Sequence, residues 1–151
     1  QKFMRKDGRL PVFESNPLRL EIIPAPENVA EKMKIMPGDP VIRCLRDMSD
    51  NGERTGVDVA YLDLATFRDL KIEDLEDVKG NLYKLYEEKL GVFIADVTDI
   101  LEFVIVDKEI QKICDLPLGT PLFFVTRQSR LLNKKTVEIR YEYCSAVNYR
   151  R

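Results

Sequence analysis

The 151-residue sequence predicts an α+β domain, an antiparallel sheet carrying helices. Three observations predict it. Segments of alternating or continuous apolar character are separated by two hairpin signals, at Asn51-Gly52 and Asn133-Lys134. Helical stretches with start and stop signals lie between them. The second half of the chain also repeats the pattern of the first.

The elements follow in order. Residues 1–17 carry Lys2, Arg5, Lys6 and Arg9 among Gly8, Pro11, Ser15, Asn16 and Pro17, which reads as a basic linker remnant ahead of a domain over 18–151. Leu18, Leu20 and Ile22 alternate with Arg19, Glu21 and Ile23 in a strand that ends at Pro24. Pro26 and Glu27 open a short helix with Val29, Ala30 and Met33 inward. Residues 36–40 stop it. Residues 41–48 and 55–62 form two strands around the Asn51-Gly52 turn. The acidic run 73–77 reads as a solvated loop, without the glycine punctuation of a metal-binding loop. Asn81 caps a helix whose Leu82, Leu85, Tyr86 and Leu90 share a face, and Gly91 stops it. A strand-like stretch follows at 92–105. Asp107 caps a helix with Ile110, Ile113 and Cys114 inward, ended by Pro117 and Gly119. Strands near 121–132 and 135–147 close the chain.

The repeat sets the expected architecture. At an offset of 81, Gly38 falls on Gly119, Pro40 on Pro121 and Arg46 on Arg127. The second hairpin is one residue shorter, so at an offset of 80 Val57 falls on Val137, Asp58 on Glu138 and Tyr61 on Tyr141. Each half reads helix, Gly-x-Pro turn, strand, hairpin, strand. Glycine accepts the left-handed conformation that ends a helix, and proline starts an extended strand. Two such halves make a pseudo-twofold domain whose hairpins share one sheet. The repeat also sets an arginine (Arg46, Arg127) and an acid (Asp58, Glu138) at matching places. Strand parity puts Arg46 on a face with Ile42, Cys44 and Met48. A charge on such a face is either paired or placed for a polar ligand.

Composition excludes several function classes. Lys and Arg total 24 against 26 Asp and Glu, a net charge of −2, which argues against direct nucleic-acid binding by these residues. With no histidine, Ser-His-Asp and Cys-His catalysis and His-ligated metal sites are absent. No metal or cofactor motif occurs. Cys44, Cys114 and Cys144 have no CxxC spacing and cannot all pair, which suits a reducing, cytoplasmic setting. Apolar neighbours make them packed small hydrophobes rather than reactive thiols. Alternation in a strand accounts for Arg140, Tyr141 and Tyr143 without base stacking. No apolar run approaches the roughly 20 residues that span a membrane. The chain opens on Gln1, as expected of a piece of something longer.

Pro37-Gly38-x-Pro40-Val41, Arg46, Asn51-Gly52-Glu53, Tyr61-Leu62, Asn81-Leu82-Tyr83 and Leu90-Gly91-Val92 are followed by Leu116-Pro117-Leu118-Gly119-Thr120-Pro121-Leu122, Arg127 and Val137-Glu138. In this order and spacing, over about residues 18–145, they resemble the UTRA domain, the effector-binding domain of HutC-type members of the GntR family of bacterial transcription regulators. Met4-Arg5-x-x-Gly8-x-x-Pro11 resembles the end of that family's interdomain linker. The resemblance implies a chorismate-lyase-like fold, a homodimer and no enzymatic activity. It also implies a pocket between sheet and helices for a small-molecule effector, a sugar phosphate or another metabolite. DNA would be bound only through a winged-helix domain upstream of these residues. Carried over by position, the effector site holds Arg46, Asp58, Asn81 where the family has serine, and Glu138; Arg127 joins them through the repeat. Met48 stands where a second arginine is common, and Val147-Asn148-Tyr149 replaces the usual Asp-Arg-Tyr ending. These departures, with Asn81, weigh against a phosphorylated sugar and leave neutral, carboxylate and amine ligands open. The alternatives are a chorismate-lyase-like enzyme, with Arg46 holding a substrate carboxylate and Glu138 as the acid, and a dimerisation module that binds no ligand.

Overall fold

The computed structural model describes residues 4–5, 13–76, 81–146 and 149–150. Most of the expected linker (1–3 and 6–12), the end of the acidic run, and Val147 and Asn148 lie outside them. The elements are β1 (Met4–Arg5), β2 (Phe13–Pro24), α1 (Glu27–Met33), β3 (Pro40–Asp50), β4 (Glu53–Asp63), α2 (Leu64–Phe67), α3 (Ile72–Glu76), α4 (Leu82–Leu90), β5 (Asp96–Ile105), α5 (Lys108–Cys114), β6 (Pro121–Arg130), β7 (Thr136–Ser145) and β8 (Tyr149–Arg150). β2 to β7 form one antiparallel sheet in the order β2-β3-β4-β7-β6-β5, and β1 pairs with β8 separately. The α+β expectation holds.

Read from either edge, the sheet meets its strands in the same sequence, and β4 meets β7 in the middle. Backbone bonds recur in the two halves. Gly38 N–H donates to Ala25 C=O at 3.0 Å and Gly119 N–H to Val106 C=O at 2.9 Å. Ala25 N–H donates to Asp39 C=O at 2.7 Å and Val106 N–H to Thr120 C=O at 2.9 Å. Gly38 and Gly119 hold φ of +88° and +84°, which makes that turn a glycine position. The β3–β4 turn carries positive φ at Asn51 and Gly52, the hairpin geometry expected there.

The period-2 pattern sends alternate residues to opposite faces. On one face, Val41, Ile139 and Tyr141 pack under Val29, Ala30 and Met33 of α1. Val57 and Leu122 pack with Cys114 of α5. Ile113, expected inward, is 37% exposed; a two-turn helix has one inward stripe, and Cys114 occupies it. On the other face, Ile42, Cys44, Ala60 and Leu62 pack under Phe67, Leu75, Leu82, Leu85 and Tyr86. Burying each large side chain contributes about 1.5–3 kcal/mol, so α4 is held chiefly by this face.

Several elements differ from expectation, beyond shifts of one or two residues at the ends of β3 and β4. β2 begins at Phe13, five residues early, and takes Asn16 and Pro17 into its pairing with β3. β2 is an edge strand and its register shifts between Pro17 and Arg19, the setting in which a strand tolerates proline. The acidic run lies partly in α3, whose Leu75 is buried. α2 was not expected; Asp63 caps it by accepting from Thr66 N–H. β5 begins at Asp96, not residue 92.

Candidate functional site

The face beneath α4 carries the chain's grouped buried charges. The registers Arg46↔Asp58, Asp58↔Glu142, Ala60↔Arg140, Ser129↔Glu138, Arg127↔Arg140 and Asp99↔Arg127 set these side chains on one face across five strands. Arg46 (4% exposed), Asp58 (1%), Glu138 (0%) and Arg140 (6%) are buried. α4 adds Tyr83 and Tyr86 from above.

The pairing is specific. Arg46 Nε donates to Asp58 Oδ1 at 3.0 Å, and its Nη2 donates to Oδ2. Arg140 Nη2 donates to both oxygens of Glu138, at 3.1 and 2.9 Å. Tyr86 Oη donates to Glu138 Oε2 at 2.5 Å and Ser129 Oγ to Oε1 at 2.8 Å. Arg127 grips Asp99 with two bonds of 2.8 Å, and its Nη1 lies 3.4 Å from Tyr83 Oη. The guanidinium groups of Arg127 and Arg140 lie 5.9 and 5.6 Å from the Tyr83 ring centroid, within cation–π range.

Burial alone would raise the Glu138 carboxyl, but the Arg140 charge and the bonds from Tyr86, Arg140 and Ser129 outweigh it and hold it below the usual range. Burial, then the Glu138 charge, push the Tyr86 hydroxyl well above its ordinary value. Glu142 goes the other way. Burial raises it, Asp58 adds to the rise, and Arg140, 3.7 Å away, only partly offsets it. Burial also drives the Cys44 thiol up to about 11, so it is not a poised nucleophile.

Four of the five expected site residues, Arg46, Asp58, Arg127 and Glu138, share this face. Asn81 begins α4 as expected, but it is exposed and its side chain accepts from Lys84 N–H at 3.3 Å. The arginines at matching places in the repeat do not pair alike. Arg127 pairs with Asp99 rather than Glu138, because Asp99 lies directly across β5–β6 while Glu138 lies across from Ser129. Arg140, Glu142, Ser129, Tyr83 and Tyr86 were missed as site residues. The period-2 pattern of β7 set Glu138, Arg140 and Glu142 on one face and was the available signal. Among the described residues no group of three Cys, Asp or Glu is placed to hold a metal. The clefts lined by Val92, Phe93 and Leu132, and by Leu20, Ile22 and Leu64, are mainly apolar and lack such a charge group.

The UTRA domain family model matches residues 12–150. The chain belongs to the UTRA domain family. The HTH-type transcriptional regulator YurK of Bacillus subtilis is 24% identical over 144 residues, covering 95% of this chain and 56% of YurK. The UTRA chain thus spans little more than half the length of that relative. The ligand-binding domain of a protein assigned to the GntR family of transcriptional regulators, from Bordetella bronchiseptica, superposes with a TM-score of 0.85 at 26% identity, over 99% of this chain and 93% of that one. The effector domain of PhnF from Mycobacterium smegmatis shares the fold, with a TM-score of 0.71 at 18% identity over 90% and 82%. YurK and the Bordetella bronchiseptica protein are transcriptional regulators, and no observation favours the lyase reading. Arg46, the residue that reading needs for a substrate carboxylate, already gives two N–H groups to Asp58.

Proposed function

We propose that this UTRA domain is the sensing half of a GntR-type transcription regulator, and that the charged face beneath α4 is its effector site. The observation that carries the reading is the buried ionic network itself. Apolar residues of similar volume stabilise a sheet at least as well as buried ion pairs do. A network joining Arg46, Asp58, Glu138 and Arg140 is therefore better explained by a polar ligand than by stability. Arg127 and Tyr83 border it, and in this reading the exposed start of α4 at Asn81 lies towards the ligand's entry. The effector is a small metabolite. Its binding would bias the domain between two arrangements and so reposition DNA-binding domains joined to it.

The domain works as a homodimer in this reading. β5 is an edge strand with both faces exposed, and it presents Ile100 (58% exposed), Phe103 (71%) and Ile105 (60%). An apolar edge of that length is a pairing surface. Light scattering is expected to give twice the 17.5 kDa chain mass, and a double replacement of Ile100 and Phe103 by Glu to give the monomer. A thermal-shift screen of polar metabolites tests the sensing role. A hit whose stabilisation survives each of Arg127→Gln, Glu138→Gln and Glu142→Gln would refute the site.

A further inference from the structure

We propose that the effector carries a protonated amine, seated against the carboxylate of Glu142 with a hydrogen-bond acceptor beside it for Arg140. The inference rests on the effector-site reading above and names the chemical class of its ligand.

The charge count points there. Among the described residues, three guanidinium groups, on Arg46, Arg127 and Arg140, lie on the site's face amid four carboxylates, on Asp58, Asp99, Glu138 and Glu142; a fifth, on Asp50, is buried on the same face at the far end of β3. Three of the four each have an arginine bound through two hydrogen bonds: Asp58 by Arg46, Asp99 by Arg127, Glu138 by Arg140. Glu142 is the acid left over. Its cationic neighbour is Arg140 Nη1 at 3.7 Å, on the guanidinium already committed to Glu138. Glu142 also stands directly across from Asp58, a like-charge cross-strand pair that disfavours the sheet. Its side chain is 28% exposed, open enough for a ligand to reach and dry enough for charge to matter.

A second observation is independent of the acids. Arg140 is 6% exposed, yet its Nε has no hydrogen-bond partner among the side-chain and backbone groups around it. A buried N–H without an acceptor is costly. A hydroxyl or carbonyl oxygen on the ligand would satisfy it while the ammonium neutralises Glu142. A phosphorylated ligand fits poorly. A phosphate takes paired guanidinium donors, and Arg46 and Arg127 give theirs to carboxylates. Added anionic charge would also meet the surplus acid.

Ethanolamine is the smallest probe with both groups, and it is protonated at neutral pH. Melting midpoints of the chain and of Glu142→Gln are measured with ethanolammonium chloride, sodium phosphate and sodium acetate, each against sodium chloride of equal ionic strength. Ethanolammonium is expected to raise the wild-type midpoint by about 3 °C at ten times its Kd. The rise is expected to vanish in Glu142→Gln, which keeps the side chain's shape and folds with a midpoint no lower than wild type. Stabilisation by phosphate or acetate that is lost in Arg127→Gln overturns the amine and leaves the site standing. An ethanolammonium effect unchanged in Glu142→Gln, or a Glu142→Gln variant that fails to fold, overturns the amine as well. No response to any of the three probes overturns both the amine and the site.

Discussion

Replacing Tyr86 by Phe removes one oxygen from the centre of the network and little else. The Tyr86 ring packs edge-on against Phe67, with centroids 4.8 Å apart, and a phenylalanine retains that contact. What is lost is the 2.5 Å hydrogen bond from Oη to Glu138 Oε2, a charge-assisted bond at full burial. Hydrogen bonds to charged groups contribute about 1.5–3 kcal/mol. Glu138 keeps Ser129 and Arg140, so about 2 kcal/mol is expected. For a chain of this length that lowers the melting midpoint by about 4–8 °C. Urea unfolding at fixed protein concentration measures it, since dimerisation would otherwise enter the midpoint. The control is Tyr83→Phe, whose half-buried hydroxyl bonds Ser129 at 2.8 Å and lies 3.4 Å from Glu138; it is expected to cost less than about 1 kcal/mol. If Tyr86→Phe costs no more than Tyr83→Phe, the network does not centre on Glu138 and the reasoning fails.

Other outcomes follow from the same geometry. Arg46→Ala leaves Asp58 buried and unpaired and is expected to cost about 3–5 kcal/mol, whereas Arg46→Met with Asp58→Leu recovers most of it, as chemical denaturation will show. Gly56→Ala is expected to prevent folding or cost more than about 3 kcal/mol, because a Cβ there would sit 1.8 Å from the Tyr143 carbonyl oxygen; circular dichroism reads it. Stability against pH has two opposed parts. Glu138 is held below its ordinary value, so its contribution is present above about pH 4.5 and is lost as pH falls through its folded pKa. Glu142, which faces Asp58, Asp99, Arg140 and Arg127, is held above its ordinary value, so its penalty is full above its folded pKa and disappears as pH falls towards about 4.5. Midpoints are therefore expected to rise from neutral pH to about pH 5 in the wild type and to lose that rise in Glu142→Gln.

Local signals made most of the fold legible. Asn81 and Asp107 accept from the N–H groups three residues on, as cap residues do, and Gly91 ends α4 in the left-handed conformation. The Asn51-Gly52 turn, together with the register shift between Met48 and Ser49 that leaves Thr55 as an extra residue, brings Arg46 opposite Asp58; the turn was legible and the shift was not. What stayed hidden depended on neighbours distant in sequence. Asn16 and Pro17 read as breakers because nothing local says that β2 lies at an edge. A four-residue helix such as α2 is too short for periodicity to register. The Arg127–Asp99 pair needs the β5–β6 register, and Arg140 looked like ordinary alternation until Glu138 and Tyr86 were seen around it.

The placement of the charges connects the site to the architecture. Asp58 and the Glu138, Arg140, Glu142 row lie on β4 and β7, the seam where the two halves of the sheet meet. Arg127 and Asp99 continue the row to β5, the edge that carries the exposed apolar side chains. Such a row is held by exchangeable partners rather than by shape. A ligand that neutralises Glu142 would free Arg140 to bind Glu138 alone and would relieve the repulsion across the seam. The same arginine lies over Tyr83, which contacts Arg127, so the change has a continuous set of contacts leading to the outer strand. An apolar seam would be at least as stable, but it would offer a ligand no such exchange.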